Sequence, residues 1–248
     1  MALQHFFEEN PKVALAFSGG VDSAYLLYAA KTYGADVKAY YVKTPFQPEF
    51  EYQDAARLAR ELKAEMVTIH LDILSDQTIA ENPKNRCYFC KKRIFTTIFE
   101  KASQDGYALV IDGTNASDDA ADRPGMVALR ELSVRSPLRE CGLTKTDIRK
   151  LSKEAGLFTH DKPAYACLAT RIPTGTPITA EKLSITEDSE NFLQELGFSD
   201  FRIRMQGSSA KIQIPECQLP LLLMHRKVIL ERLKKHYTEV LLDLEVRG

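Results

Sequence analysis

The segment Val13–Ser23, VALAFSGGVDS, constrains the fold of this chain more than any other stretch. Val13, Ala14, Leu15, Ala16 and Phe17 form a short apolar run, the pattern of an interior parallel strand. Ser18-Gly19-Gly20-Val21-Asp22-Ser23 then turns sharply, and residues 24–33 continue as a helix with Leu26, Leu27 and Ala30 on one side. Two adjacent glycines let the backbone approach an anion closely. The helix start behind them offers unpaired N–H groups and the positive end of a dipole. Ser18 and Ser23 add hydroxyl donors, and Asp22 is placed to hold a divalent cation. The loop lacks the Gly-Lys-Ser/Thr ending of a Walker A motif, which argues against an ordinary P-loop nucleotidase. A strand-to-helix turn that holds no ligand is the alternative.

The remaining chain extends the same alternation. Strands are predicted at 37–42, 65–71 and 108–112, with a fifth short strand within Arg130–Ser136. Helices are predicted at 50–62, 88–102 and 144–155. Thr144 serves as an N-cap and Gly156 as a C-terminal stop. Such alternation gives an α/β fold with a doubly wound parallel sheet, whose ligands sit at the carboxyl ends of the strands. The Gly-Gly loop, Thr44 and the 113–119 loop then converge on one crevice. Pro163, Pro173, Gly175 and Pro177 interrupt the pattern. Beyond them a helix (180–196), two strands (201–205 and 210–214), a helix (217–235) and a last strand (239–244) form a smaller C-terminal α+β domain. The predicted domains are 1–165 and 166–248.

Composition narrows the partners. The formal net charge is −1, with 44% hydrophobic and 27% charged residues, so nothing global argues for nucleic acid or a membrane surface. No apolar run approaches a membrane span, and the first ten residues are neither basic nor followed by a cleavage-type site, so a cytosolic location is expected. The five histidines are scattered and none is assigned a role. Of the five cysteines, Cys87 and Cys90 form a CxxC pair and Cys167 lies far downstream. An odd number in a cytosolic enzyme points away from a disulfide framework. Zinc wants four closed ligands, and no second CxxC or close histidine pair supplies them. Three thiolates suit a 4Fe–4S cluster with one open iron. Reactive thiols without iron, or structural thiols, remain open. A helix start at Cys87, with Arg86, Lys91, Lys92 and Arg93 nearby, favours thiolates. Cys141 and Cys217 are read as small hydrophobes.

Ser18–Ser23 resembles the PP-loop signature SGGxDS of the HUP-like ATP pyrophosphatases, which cleave ATP between the α and β phosphates and adenylate a substrate. The segments 112–125 (DGTNASDDAADRPG), 128–157 and 162–179 (KPAYACLATRIPTGTPIT) are similar to the LarE-type ATP-dependent sulfur transferases over nearly the whole chain. That resemblance implies adenylation of the carboxylates of pyridinium-3,5-dicarboxylate mononucleotide, release of AMP and pyrophosphate, and sulfur insertion during nickel-pincer nucleotide synthesis for lactate racemase. One branch of the family sacrifices a cysteine sulfur. A second branch, which the Cys87, Cys90 and Cys167 set resembles, passes a bound sulfide through a 4Fe–4S cluster.

The resemblance further implies ATP and Mg²⁺ as cofactors. Ser18, Gly19, Gly20 and Ser23 would hold pyrophosphate, Asp22 the metal, and Thr44, Asn115 and Arg123 the nucleotide. Arg123 and Arg130 could equally be exposed salt-bridge residues. Arg171 is a candidate anion clamp. Arg202 and Arg204 share one strand face, where the family binds the phosphate of its mononucleotide. The implied partners are a small nucleotide substrate, a sulfide donor and other copies of the chain in a symmetric homo-oligomer, hexamers among them. Three competing readings stay open: a tRNA thiolase using the same cluster chemistry, a nucleotide-sensing scaffold, and an amidase-type synthetase. The balanced charge speaks against the first of these, and the third needs an ammonia source for which the chain has no signature.

Overall fold

A computed structural model of the chain describes residues 2–118 and 124–245. In chain order the elements are α1 (Ala2–Glu9), β1 (Lys12–Ala16), α2 (Val21–Thr32), β2 (Asp36–Lys43), α3 (Glu49–Glu61), β3 (Glu65–His70), α4 (Gln77–Ala80), α5 (Arg86–Gln104) and β4 (Val110–Ile111). They continue as α6 (Pro124–Glu131), α7 (Pro137–Glu140), α8 (Lys145–Glu154), α9 (Ala180–Glu195), β5 (Arg202–Gln206), β6 (Ser209–Gln213), α10 (Leu219–Leu233) and β7 (Glu239–Leu242). Two compact units result, Met1–Ile73 with Asn85–Lys162, and Leu74–Lys84 with Pro163–Gly248.

The first unit is built on a parallel sheet in the order β3-β2-β1-β4. Period-2 alternation along β1 and β2 divides its hydrophobic residues between two cores. Val13, Leu15, Val37, Ala39 and Tyr41 pack on one side with Leu26, Leu27 and Ala30 of α2, Leu58 of α3 and Ile148 of α8. Ala14, Tyr40, Val42 and Val110 pack on the other with Phe95, Ile98 and Ala102 of α5. Burial on both faces is why β1 reads as an unbroken apolar run, and each fully buried Leu or Ile contributes about 1.5–3 kcal/mol. The sheet is therefore α/β and helix-flanked, as the alternation predicted.

One local expectation needs correction, and one element was not foreseen. Arg130–Ser136 is not a strand. Pro124 opens α6, which continues through Glu131, and Ser133 then takes a left-handed turn at φ 54°. Only the isolated bridge between Ile111 and Arg135 adds to the sheet there. The helix α1 was missed, although Leu3, Phe6 and Phe7 carry an i, i+3, i+4 apolar stripe and are buried.

In the second unit β5 and β6 pair antiparallel and β6 and β7 pair parallel. Leu193 of α9, Ile203, Ile212, Ile229 and Leu233 form its core. The segment Leu74–Lys84 groups with this unit through Asn82, which is buried and left-handed at φ 59°. Its side-chain amide donates to the carbonyls of Ile172, Pro173 and Thr176, and its own carbonyl accepts from the Gly175 N–H at 2.8 Å. Among the described residues no helix is long and apolar enough to cross a membrane.

Candidate functional site

The loop between β1 and α2 is held in shape by its own serines. The Ser18 and Ser23 hydroxyls lie 3.0 Å apart, the Gly20 N–H donates to Ser18 Oγ, and Ser23 Oγ donates to the Gly20 carbonyl. Ser23 is buried, whereas Ser18 is exposed. Gly19 is doubly constrained. Its φ is +72°, and a Cβ placed there would lie 2.8 Å from Ala55 Cβ of α3. Gly20 occupies the N-cap of α2 and brings no side chain to satisfy the first-turn N–H groups. The result is a backbone mouth at the positive end of a helix, suited to an anion.

The loop after β4 meets this mouth. A Cβ on Gly113 would come within 2.8 Å of the Ser23 nitrogen, so only glycine allows that approach. Asn115 is buried, its Oδ1 accepting from the Ser117 N–H and its own N–H donating to Asp118 Oδ2. Asp112, just before, accepts from the Thr114 and Ser136 hydroxyls. Thr44 follows β2, where its hydroxyl donates to Gln47 Oε1 at 2.8 Å and accepts from the Phe46 N–H. That hydroxyl is committed to a local turn. Arg123 and Asp119 fall outside the described residues, and Arg130 is exposed in the last turn of α6.

Asp22 is the charged residue of the loop. Its Oδ2 accepts from Lys145 Nζ at 2.6 Å, while its Oδ1 is buried with no hydrogen-bond partner. Burial raises its pKa above the ordinary carboxylate value, and the Lys145 hydrogen bond opposes that shift. An unsatisfied, largely desolvated carboxylate oxygen beside an anion mouth fits a divalent-cation ligand. Lys145 opens α8 and was missed from the sequence. The one available signal was the capping box Thr144–Asp147, which fixes the start of that helix and hence the position of the lysine.

The cysteines are divided between the two units. Cys87 and Cys90 stand one turn apart in the first turns of α5, Cys87 exposed and Cys90 buried. Cys167 belongs to the second unit, at the N-cap of a 3₁₀ turn, where its carbonyl accepts from the Thr170 N–H and hydroxyl. Thiolate sulfur is the donor type an iron–sulfur cluster requires, and the i, i+3 pair fits two of its ligands. Among the described residues no group of three or more His, Cys, Asp or Glu side chains is placed to hold a metal ion. Cys141 is half-buried, with its thiol pushed up by burial, whereas Cys217 is exposed rather than a buried hydrophobe.

Around Cys167 the second unit builds a buried charge cluster. Arg171 is 1% exposed and pairs bidentately with Glu190, at 2.8 and 3.0 Å. Its Nη1 also donates to the Ala166 carbonyl and the Thr170 hydroxyl. Tyr165 donates to Glu190 and lies under both the Arg171 and Arg202 guanidinium groups, 4.6 and 5.0 Å from its ring centre. Arg202 donates to the Ala164 carbonyl, and Arg204 to Gln213 Oε1 and the Thr170 carbonyl. These three arginines thus tie the 164–171 segment to α9 and β5.

No protein-family model matches the chain. Among curated proteins, pyridinium-3,5-bisthiocarboxylic acid mononucleotide synthase of Lactiplantibacillus plantarum is 35% identical over 210 residues, covering 84% of this chain and 76% of its own length. An uncharacterized protein of Synechocystis sp. is 35% identical over 218 residues, 88% of this chain and 81% of that protein. A tRNA-specific 2-thiouridylase, MnmA of Pseudothermotoga lettingae, is 28% identical over 189 residues, 61% of this chain and 54% of that protein.

Proposed function

Because the chain belongs to the LarE-type sulfur transferase family, we propose that it is an ATP-dependent sulfur transferase acting on a carboxylate of pyridinium-3,5-dicarboxylate mononucleotide. The observation that carries this reading is the mouth at Ser18–Ser23, where a left-handed Gly19, a glycine N-cap and a half-satisfied Asp22 carboxylate meet at a helix start. In the proposed first step a substrate carboxylate oxygen attacks the α-phosphorus of ATP. The bond to the bridging oxygen breaks, giving an acyl-adenylate and pyrophosphate. In the second step a sulfide sulfur attacks the activated carbonyl carbon. AMP leaves with the carboxylate oxygen, and one proton is released as the thiocarboxylate forms. Activation splits one difficult displacement into two easier ones.

In this reading Ser18, Gly19, Gly20 and Ser23 grip the departing pyrophosphate, and Asp22 holds Mg²⁺. The bound ion would neutralise the phosphates and polarise the α-phosphorus. Thr44, Asn115 and Arg123 are assigned to the nucleotide, and Arg202 and Arg204 to the phosphate of the acceptor. Arg171 acts by holding the backbone beside Cys167. Cys87, Cys90 and Cys167 are assigned to a 4Fe–4S cluster, which when bound would offer an open iron to exogenous sulfide. A cytoplasmic homo-oligomer supplied by a sulfide donor completes the proposal.

Anaerobic incubation with ATP, Mg²⁺ and the acceptor tests the first step. Acceptor-dependent formation of AMP and pyrophosphate in equal amounts is expected, and no AMP above background would overturn it. The relatives that act on tRNA make tRNA the comparison acceptor. Stimulation of AMP formation by tRNA and not by the mononucleotide would replace this reading with a tRNA thiolase. Iron and acid-labile sulfide analysis after anaerobic reconstitution tests the cluster separately. Both should be retained by the wild type and reduced in Cys87→Ala, and protein without iron would remove the cluster.

A further inference from the structure

The Asp22–Lys145 pair is more than a counter-ion contact. Lys145 Nζ sits 2.6 Å from one carboxylate oxygen of Asp22, and the other oxygen is buried with no partner. A buried acceptor left unsatisfied is unfavourable, so the arrangement is half complete. Two further charges act at the same point, Asp118 with a negative field and Arg149 with a positive one. Lys145 itself is poorly placed as a helix residue, since the first turn of α8 presents the positive dipole end, where a cation is disfavoured. It is drawn to any anion within reach.

The backbone of Lys145 is held independently of its arm, which reaches Asp22. Its N–H donates to Ser117 Oγ at 2.9 Å, and Thr144 and Asp147 close a capping box around the same turn. One turn further, Arg149 donates to the carbonyls of His160 and Lys162, at 2.7 and 2.9 Å. A flexible four-carbon stem on a fixed backbone can exchange one anion for another by rotation alone.

We propose that Lys145 stands in for the divalent cation at Asp22 while the loop is empty, and transfers to the phosphates when cation and nucleotide arrive together. This inference rests on the reading of the Ser18–Ser23 loop as a triphosphate site. A cation entering alone meets the Lys145 ammonium on the same carboxylate, and the two positive charges compete for one anion. Phosphates entering alone must draw Lys145 away and leave Asp22 without a cation. When both enter, each displaced charge finds a new partner, so the two ligands bind with positive coupling. Lys145 is then a positioning residue whose effect is seen in binding, before any chemistry.

The test uses Mn²⁺ and a non-hydrolysable α,β-methylene ATP analogue, with binding followed by calorimetry and by the spin-resonance signal of free Mn²⁺, corrected for the complex formed in solution. In the wild-type chain each ligand should tighten the other by roughly tenfold or more. In Lys145→Met, Mn²⁺ should bind the nucleotide-free protein more tightly than in the wild type, and the mutual tightening should largely disappear. Lys145→Gln repeats the charge removal with a side chain that remains polar, and Lys145→Arg should keep the coupling. Unchanged coupling in the Met and Gln variants, with the analogue still bound, would overturn the proposal. Failure of the analogue to bind the wild type would instead overturn the triphosphate reading, and the proposal with it.

Discussion

Gly19 and Gly113 set the closest approaches in the first unit, and each does so because it lacks a Cβ. Gly19→Ala adds a methyl group 2.8 Å from Ala55 Cβ at a backbone angle that L-residues avoid. A loss of about 1–3 kcal/mol in urea denaturation is expected, together with loss of ATP-analogue binding. A midpoint equal to that of the wild type would contradict the strain argument. In the second unit, Arg171 and Glu190 are almost wholly buried, with side chains 0% and 5% exposed. Breaking one side of such a pair leaves an uncompensated charge, so Glu190→Gln should destabilise by about 3 kcal/mol. A loss of activity with unaltered stability would show that Arg171 binds substrate rather than holding the chain. The glycine pair was legible in the sequence because its neighbours in the chain supply its context. Lys145 was not, since it meets Asp22 across a separation of 123 residues. Arg171 was legible as a charged residue, but its burial and its Glu190 partner were not.

At the scale of elements, α8 is the piece that delivers Lys145, and its start is fixed by Thr144 and Asp147. Thr144 Oγ1 accepts from the Asp147 N–H at 3.2 Å, and Asp147 Oδ2 accepts from the Thr144 N–H at 3.0 Å. Thr144→Ala should therefore cost about 1 kcal/mol of stability and lower Tm. An unchanged Tm would mean that tertiary packing alone defines the helix start. Elements with strong periodicity were readable from sequence, β1 and β2 from their buried runs and α8 from its cap and the Gly156 stop. Arg130–Ser136 misled because Val134 and its neighbours suggest a strand, while Pro124 and the turn at Ser133 decide the outcome locally. The short β4 was also over-extended, because only Val110 and Ile111 find partners in β1.

For the molecule as a whole, acid sensitivity follows from its ion pairs. Lys101 holds the Asp105 carboxyl below its ordinary value, Arg135 does the same for Glu140, and Lys211 for Asp243. Folded carboxyls with lowered pKa stabilise the fold above the ordinary values of 3.8 and 4.5, and that contribution is lost as pH falls through the lowered ones. Asp22 acts in the opposite sense, since its raised pKa makes its ionised form a cost that acid relieves. With Glu131 and Asp147 also lowered, such carboxyls outnumber Asp22, so urea midpoints should fall below pH 3.8 relative to neutral pH. A flat profile would contradict the assigned pairs.

In the proposed reaction this chain activates a carboxylate with ATP and replaces one of its oxygens with sulfur. Mass spectrometry of pyridinium-3,5-dicarboxylate mononucleotide, after anaerobic reaction with the protein, ATP, Mg²⁺ and isotopically labelled sulfide, measures that exchange directly. A thiocarboxylate product carrying the sulfur label is expected, absent when ATP is omitted and absent with Asp22→Ala. An acceptor recovered with both carboxylates intact, under conditions where the protein binds ATP, would contradict it.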